Sequence, residues 1–317
     1  MASENPVNTA LMKNMPAWKR NIKRVLSSWQ LYVLILPGIL YILVFSYFPM
    51  YGIQIAFKDF RPTKGIWGSE WVGLKHFIRF FKFPNFWQYI RNTVILSLYG
   101  IFTFPIGIIF SLLLNELPNQ KFKKTVQMIT YAPHFISTVV LCGMVLLFFS
   151  ETNGFVNAII EGLGFERIAF LEDVRYFRSL YIGSGVWQNL GWSTIIYLAA
   201  LAGVSQELIE AARIDGANRL QIIIHINIPT IMPTIIIMFI MSFGSILSVG
   251  FEKIFLLQNA LNLSVSQVLS TYTYEVGLIN AQYSYSAAIS LFNTVINITL
   301  LIIVNLIVSK LSDISLW

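Results

Sequence analysis

Six stretches of this chain contain no Asp, Glu, Lys or Arg: residues 31–57, 93–114, 126–149, 180–202, 230–250 and 286–309. An α-helix needs roughly 20 apolar residues to cross the ~30 Å hydrocarbon layer of a bilayer, and each stretch reaches that length. In lipid every backbone N–H and C=O must be satisfied within the segment or by a closed sheet, so uncharged runs of this length are read as helices. The expected fold is an all-α membrane protein with six transmembrane helices over 31–309. Pro37, Pro105, Pro133, Pro233 and Gly191 lie inside these runs, where neighbouring helices tolerate them. Only 12% of the 317 residues are charged. Soluble domains carry about 25%, so a soluble enzyme is excluded.

The segments outside the runs bound the topology. Residues 1–30 place Trp18, Ile22, Val25, Leu26 and Trp29 on one helical stripe, with Lys19, Arg20, Lys23 and Arg24 around the rest. Such a pattern reads as an amphipathic helix in the membrane interface, or as a basic cytoplasmic tail. With six spans, both termini and the loop 203–229 share a side. That makes 1–30 and 310–317 cytoplasmic if the loop is. The positive-inside rule does not decide, because Lys and Arg divide equally between the two sides. The cluster at 19–24 favours a cytoplasmic N-terminus, whereas the aromatic-rich loop 58–92 opposes it with seven basic residues.

Chemistry that is missing narrows the function. His76, His134 and His225 are far apart, and no carboxylate accompanies His134 in its run. H-E-x-x-H, G-x-S-x-G and the phosphate-binding loop G-x-x-x-x-G-K-[ST] are absent, which weighs against a membrane enzyme and leaves no ATP site in this chain. The one cysteine, Cys142, excludes a disulfide framework and a thiolate metal cluster. Ion-coupled secondary transporters usually carry ionisable groups inside their spans, and these spans have none. The basic residues are scattered and follow no nucleic-acid motif. No cofactor or metal is expected.

Against this background the loop 203–229 stands out. It contains "EAARIDGANRLQIIIHINIP", residues 210–229, a charged stretch between two apolar runs. Ser205 is placed to cap a helix whose first turns hold Glu207 and Glu210, where negative charge is favoured. Gly216 can supply a positive φ, and Asp215 or Asn218 can cap a second helix. That second helix puts Leu220, Ile223, Ile224 and Ile228 on one stripe, and Pro229 is expected to separate it from the fifth span. Two short helices at an angle can dock in a partner's groove or simply connect two spans.

The stretch resembles the EAA loop of binding-protein-dependent ABC importer permeases, whose pattern is E-A-A-x-x-x-G, nine residues, then I-x-L-P. Glu210, Ala211, Ala212, Gly216, Ile226 and Pro229 match it, and Asp215 and Ala217 are common companions. Ile228 replaces the usual leucine, and Ile223 an aromatic. "SYFPMYGIQIAFKDF" (46–60), "NTVILSL" (92–98), "YAPHFISTVV" (131–140), "WQNLGWSTIIYLAALAGV" (187–204) and the terminal "SLW" are similar to maltose-type oligosaccharide permeases. Within them they are similar to the aldouronate or polygalacturonan-type LplB/YteP group of Gram-positive bacteria.

The resemblance implies a type I ABC importer permease fold with a cytoplasmic coupling helix, in a multi-pass protein of the cell membrane. It implies a second homologous permease as heterodimer partner, two ATPase subunits that hold ATP and Mg, and an extracellular lipid-anchored solute-binding protein. Glu210, Ala211, Ala212, Arg213, Asp215, Gly216, Ala217, Ile226 and Pro229 are the expected ATPase-coupling residues, and no residue is catalytic. Oligosaccharide is the expected substrate; the alternatives are a permease for a non-sugar solute and, behind it, an ion-coupled secondary transporter. Sugars are met by aromatic faces and amides. The candidates are Trp187, Gln188, Asn189, Trp192 and Tyr197 in the fourth run, and Tyr272, Tyr274, Glu275, Gln282, Tyr283 and Tyr285 in the outer stretch. Aromatics at membrane boundaries also form an ordinary interfacial belt.

Overall fold

The computed structural model describes residues 29–312 except Ser245 and Ser248. The expectations for residues 1–28 and 313–317 lie outside the described residues. The chain divides after Gln54 into two compact units.

The first unit contains most of helix α1, Trp29–Phe57. Apolar side chains cover it all round, as suits a helix facing lipid or other helices. Its regular α turns widen to a π turn at Leu43–Tyr47, two residues ahead of Pro49. Proline lacks an N–H, and its ring collides with the carbonyl four residues back. The wider turn moves that carbonyl aside.

The second unit begins with a two-stranded antiparallel ribbon, β1 Lys58–Asp59 against β2 Glu70–Trp71. Helix α2, Lys75–Phe81, follows, then the long α3, Phe86–Asn115. His76 on α2 lies buried with Nε2 3.2 Å from the Lys58 carbonyl, tying helix to ribbon. Burial pulls its pKa below the ordinary histidine value. Helix α4, Gln120–Phe135, turns by 99° into α5, Thr138–Phe148. Helix α6, Val174–Leu201, is capped by the Asp173 carboxylate, which accepts from Arg175 N at 2.9 Å. It turns by 80° into α7, Gln206–Ile214. Helix α8, Arg219–Phe243, precedes the short α9, Phe251–Leu257, and α10, Tyr283–Leu311, closes the described chain.

Among the described residues, helices α1, α3, α8 and α10 are each long and apolar enough to cross a membrane, and the number rises to six if each bent pair is one span. The third expected run, 126–149, is therefore not one straight helix. Pro133 ends α4 in a tight 3-10 turn, Ile136 and Ser137 are extended, and the Ser137 hydroxyl caps α5 by accepting from Val140 N at 3.3 Å. With 11 residues, α5 extends only about 16 Å. The first half of α4 carries Lys121, Lys123 and Lys124 on an amphipathic face, which suits an interface better than hydrocarbon.

Among the described residues, three buried clusters hold the second unit together. One joins Phe80, Phe86 and Tyr89 to Leu269, Tyr272, Tyr285 and Ile289. A second joins Leu96 of α3, Cys142 and Val145 of α5, Phe177 of α6 and Ile254 and Leu257 of α9. The third lies where α3 and α6 end and α8 begins, and receives α7. Helices α6 and α4 meet closely at Gly191, where any Cβ would overlap the Thr130 carbonyl.

Candidate functional site

Two features carry functional chemistry, one at the α6–α8 connection and one between the long helices.

The connection is built from local rules. Ser205 Oγ accepts from Leu208 N at 3.4 Å and starts α7. The helix ends at Asp215, and Gly216 adopts φ +84°. Gly216 N donates to Arg213 O at 3.1 Å, and Ala217 N to Ala212 O at 2.9 Å. This bond pair is a Schellman termination, which needs the left-handed residue that glycine provides. Ala212 and Ala217, the two residues whose contact normally seals such a turn, both pack on the third cluster. Asn218 then opens α8 with a reciprocal capping box: its Oδ1 accepts from Gln221 N at 2.9 Å, and its N donates to Gln221 Oε1 at 2.7 Å.

The second short helix of the loop is not separate from the fifth span. Helix α8 runs from Arg219 to Phe243 through a π turn at Ile223–Asn227, again two residues ahead of a proline, here Pro229. As in α1, the wide turn accommodates the ring, so the helix continues where the sequence predicts a break.

One side of α7 is anchored and the other is free. Ile209, 8% exposed, packs in the third cluster with Leu201, Val204, Ile222 and Ile231. Burying one such side chain from water contributes about 1.5–3 kcal/mol. Glu210, Ala211, Arg213, Asp215 and Gly216 are exposed, and Ile214 projects at 87% exposure. Glu210 and Arg213 make no ion pair among the described residues. Ala212, Asp215, Gly216, Ala217, Gln221, Ile222, His225 and Ile226 line a hollow of about 300 Å³ in the crook of the two helices. Pro229 is exposed on α8. Asn227, fully buried, reaches Glu116 Oε1 at 3.5 Å and ties the root of α8 to the end of α3. No motif in the sequence flags that tie.

The other feature is a cavity of about 1080 Å³ between the middles of α3 and α6 and the end of α8. Four of the expected sugar-path residues line it: Gln188, Asn189, Trp192 and Tyr197. Trp192 stacks on His134 at 4.2 Å and 5° between planes, and His134 Nδ1 lies 3.1 Å from Asn189 Oδ1. Gln188 Nε2 donates to Ile136 O at 2.9 Å. The break between α4 and α5 thus orients a ring face and two amides along α6. The remaining lining is mostly apolar, with Ser97, Ser193, Ser242 and Lys253 among its polar members. Lys253 carries no motif signal in the sequence.

The other expected residues stand elsewhere. Trp187 is exposed and not part of the cavity lining. Tyr272 and Tyr285 are buried in the first cluster with their hydroxyls 3.4 Å apart, and Arg79 covers the Tyr285 ring at 4.2 Å. Tyr274 packs on Phe251 at 4.7 Å, and Tyr283 meets Phe60 edge-on at 6.1 Å. Glu275 accepts from Gln267 Nε2 at 3.2 Å. Gln282 begins α10. Nearby, Asn262 is 1% exposed and is the hub of the loop before residue 269. It donates to Leu171 O and Leu257 O and accepts from Asn259 N and Ser266 Oγ.

Comparison with known proteins agrees with this architecture. Residues 103–313 match the family described as binding-protein-dependent transport system inner membrane component. Protein LplB of Bacillus subtilis (strain 168) is 43% identical over 295 residues, covering 93% of this chain and 92% of LplB. The polygalacturonan/rhamnogalacturonan transport system permease protein YteP of the same organism is 41% identical over 312 residues, covering 98% and 97%. A chain from the crystal structure of a bacterial ABC transporter involved in the import of the acidic polysaccharide alginate superposes with a TM-score of 0.85. It shares 38% identity, over 92% of this chain and 99% of that one. A second structure of the alginate transporter, in complex with its alginate pentasaccharide-bound periplasmic protein, gives 0.85 and 37% over 93% and 99%. The fold is that of a type I ABC importer permease. With a family match over 103–313 and relatives above 40% identity along nearly its whole length, this chain belongs to the inner membrane components of binding-protein-dependent ABC transport systems.

Proposed function

We propose that this chain is the oligosaccharide-translocating permease subunit of an ATP-driven importer in the cytoplasmic membrane. The observation that carries the reading is the cavity lined by Trp192, Gln188 and Asn189, which offers a ring face and amides to a sugar inside a membrane-spanning fold. The saccharide polymers named for YteP and for the alginate transporter support it. A second, homologous permease completes the path, and an extracellular lipid-anchored binding protein delivers substrate, as suits a Gram-positive envelope. Two ATPase subunits bind ATP and Mg and dock on α7, so hydrolysis occurs outside this chain. When ATP closes the ATPase dimer, movement passes through Ile209, Ala212 and Ala217 into the cluster that joins α3, α6 and α8. These helices then rock between inward-open and outward-open states.

The complete transporter in proteoliposomes is expected to accumulate labelled oligosaccharide only when ATP is supplied on the ATPase side. Uptake by this chain alone, or uptake driven by an ion gradient without ATP, would sink the reading and favour a secondary transporter.

The topology follows from the same reading. In intact cells a membrane-impermeant maleimide is expected to label Glu166→Cys, in the connection between α5 and α6. It should reach Gln206→Cys on α7 only after permeabilisation. Native Cys142, 1% exposed, adds little background. Labelling of position 206 in intact cells overturns the cytoplasmic placement of α7.

A further inference from the structure

Lys253 is the charged side chain of the cavity: every other lining residue among those described is uncharged. It sits on α9, which Ile254, fully buried, and Leu257 hold against α5 and α3. Its Nζ donates to the Tyr181 carbonyl at 2.7 Å and lies 4.8 Å from the centre of the Tyr181 ring. Burial pulls the pKa of the Lys253 amine down to about 8, while the carbonyl and the ring face favour the ammonium, so the group stays mostly protonated near neutral pH. The described ion pairs are Arg167–Glu161 and Arg175–Asp173, and neither involves the cavity. The ammonium therefore has no carboxylate partner among the described residues. Helix α6 carries glycine at 185, where a Cβ would stand 3.1 Å from Nζ and press on it. Gly185 lies one helical turn from Asn189, whose Nδ2 donates to the Gly185 carbonyl at 3.1 Å. The cation thus adjoins the stripe of α6 that carries Gln188, Asn189 and Trp192.

A cation that faces a cavity of a membrane protein with no carboxylate partner is costly, and such a group is a candidate for contact with substrate. Oxygen-only sugars need no cation, because amides and ring faces suffice for hydroxyls. A uronic acid unit adds a carboxylate, and an ammonium pairs with it as a compact point charge. Lysine lacks the rigid bidentate fork of arginine, which suits a group that must release each unit as the chain passes. We propose that Lys253 is the residue that selects charge in this cavity, pairing with the carboxylate of an acidic oligosaccharide during translocation. The proposal rests on the oligosaccharide-importer reading above.

Uptake of a short oligogalacturonide and of its uncharged methyl ester by the complete transporter tests it, comparing wild type with Lys253→Met and Lys253→Arg. The selectivity of the binding protein is the same in all variants and cancels in each variant-to-wild-type ratio. Lys253→Met is expected to lower uptake of the acid at least tenfold while leaving the ester unchanged or raising it, and Lys253→Arg is expected to keep most acid uptake. Equal losses for acid and ester in Lys253→Met mean that the ammonium only fastens α9 to Tyr181, and overturn the proposal. Undiminished acid uptake in Lys253→Met overturns it too, as does loss of acid uptake in both variants where the ester enters none of them. A wild type that moves neutral oligosaccharides but no acid also overturns it, while leaving the importer reading intact. A wild type that moves no oligosaccharide removes the importer reading itself.

Discussion

Replacing Gly216 with valine is expected to weaken ATPase binding at least tenfold while leaving the spans inserted. Gly216 sits at φ +84°, and no neighbouring atom lies within 4 Å of where a Cβ would stand. The penalty is therefore conformational and not steric against the surroundings. A left-handed conformation costs an ordinary L-residue about 1–2 kcal/mol, and a β-branched side chain more. Relief of that strain unwinds the Schellman turn and frees the Ala217–Ala212 bond, so α7 leaves its fixed angle to α8. A loss of about 1.4 kcal/mol in docking is already tenfold in affinity. Gly216→Asn is the informative companion, since asparagine tolerates the left-handed region, and most ATPase binding should survive. Glu210→Lys tests the other half of the dock. It reverses an exposed charge that has no ion-pair partner among the described residues, and interfacial charge reversal can cost a few kcal/mol. Pull-down of the ATPase with purified variants in detergent reads all three. Normal ATPase retention by both Gly216→Val and Glu210→Lys would reduce α7 to a connector.

The second large effect is expected at Gly191, and it concerns assembly of the membrane unit. Gly191 is buried where α6 crosses α4 just ahead of its closing 3-10 turn, and a Cβ would overlap Thr130 backbone atoms and approach Tyr131 Cδ1 to 2.7 Å. Backbone cannot rotate away as a side chain can. Overpacking by a single methyl group costs roughly 1–3 kcal/mol, and a larger side chain forces the helices apart. Gly191→Ala should lower the melting temperature of the detergent-solubilised protein, and Gly191→Leu should abolish its accumulation as folded material. The control is Gly143→Ala on α5, where an added Cβ meets nothing within 4 Å, and stability should be unchanged or slightly higher. Normal yield and melting of Gly191→Leu would show that the α4–α6 crossing has room for a side chain.

What the sequence determined by itself lies within a few residues of each signal. The charge-free runs set the membrane class, because hydrocarbon length and backbone hydrogen bonding leave no other solution. Ser205, Gly216 and Asn218 set the start of α7, its end and the start of α8, because caps and left-handed turns are made by neighbours in the chain. Pro133 and Ser137 carried the stop and restart that break the third run, yet the uniform hydropathy across them conceals it. Tertiary structure decided what depends on distant partners. Whether Pro229 breaks a helix depends on whether a π turn forms ahead of it, and the packing of Ile222, Ile226 and Ile231 against α3 and α6 holds the helix on both sides of that turn. Aromatic residues look alike in sequence, but Trp192 stacks on His134 beside a cavity while Tyr272 and Tyr285 fill a core. Lys253 is 72 residues from the carbonyl that receives its ammonium. No periodicity spans such a separation, so only the folded packing of α9 on α6 could place a cation there.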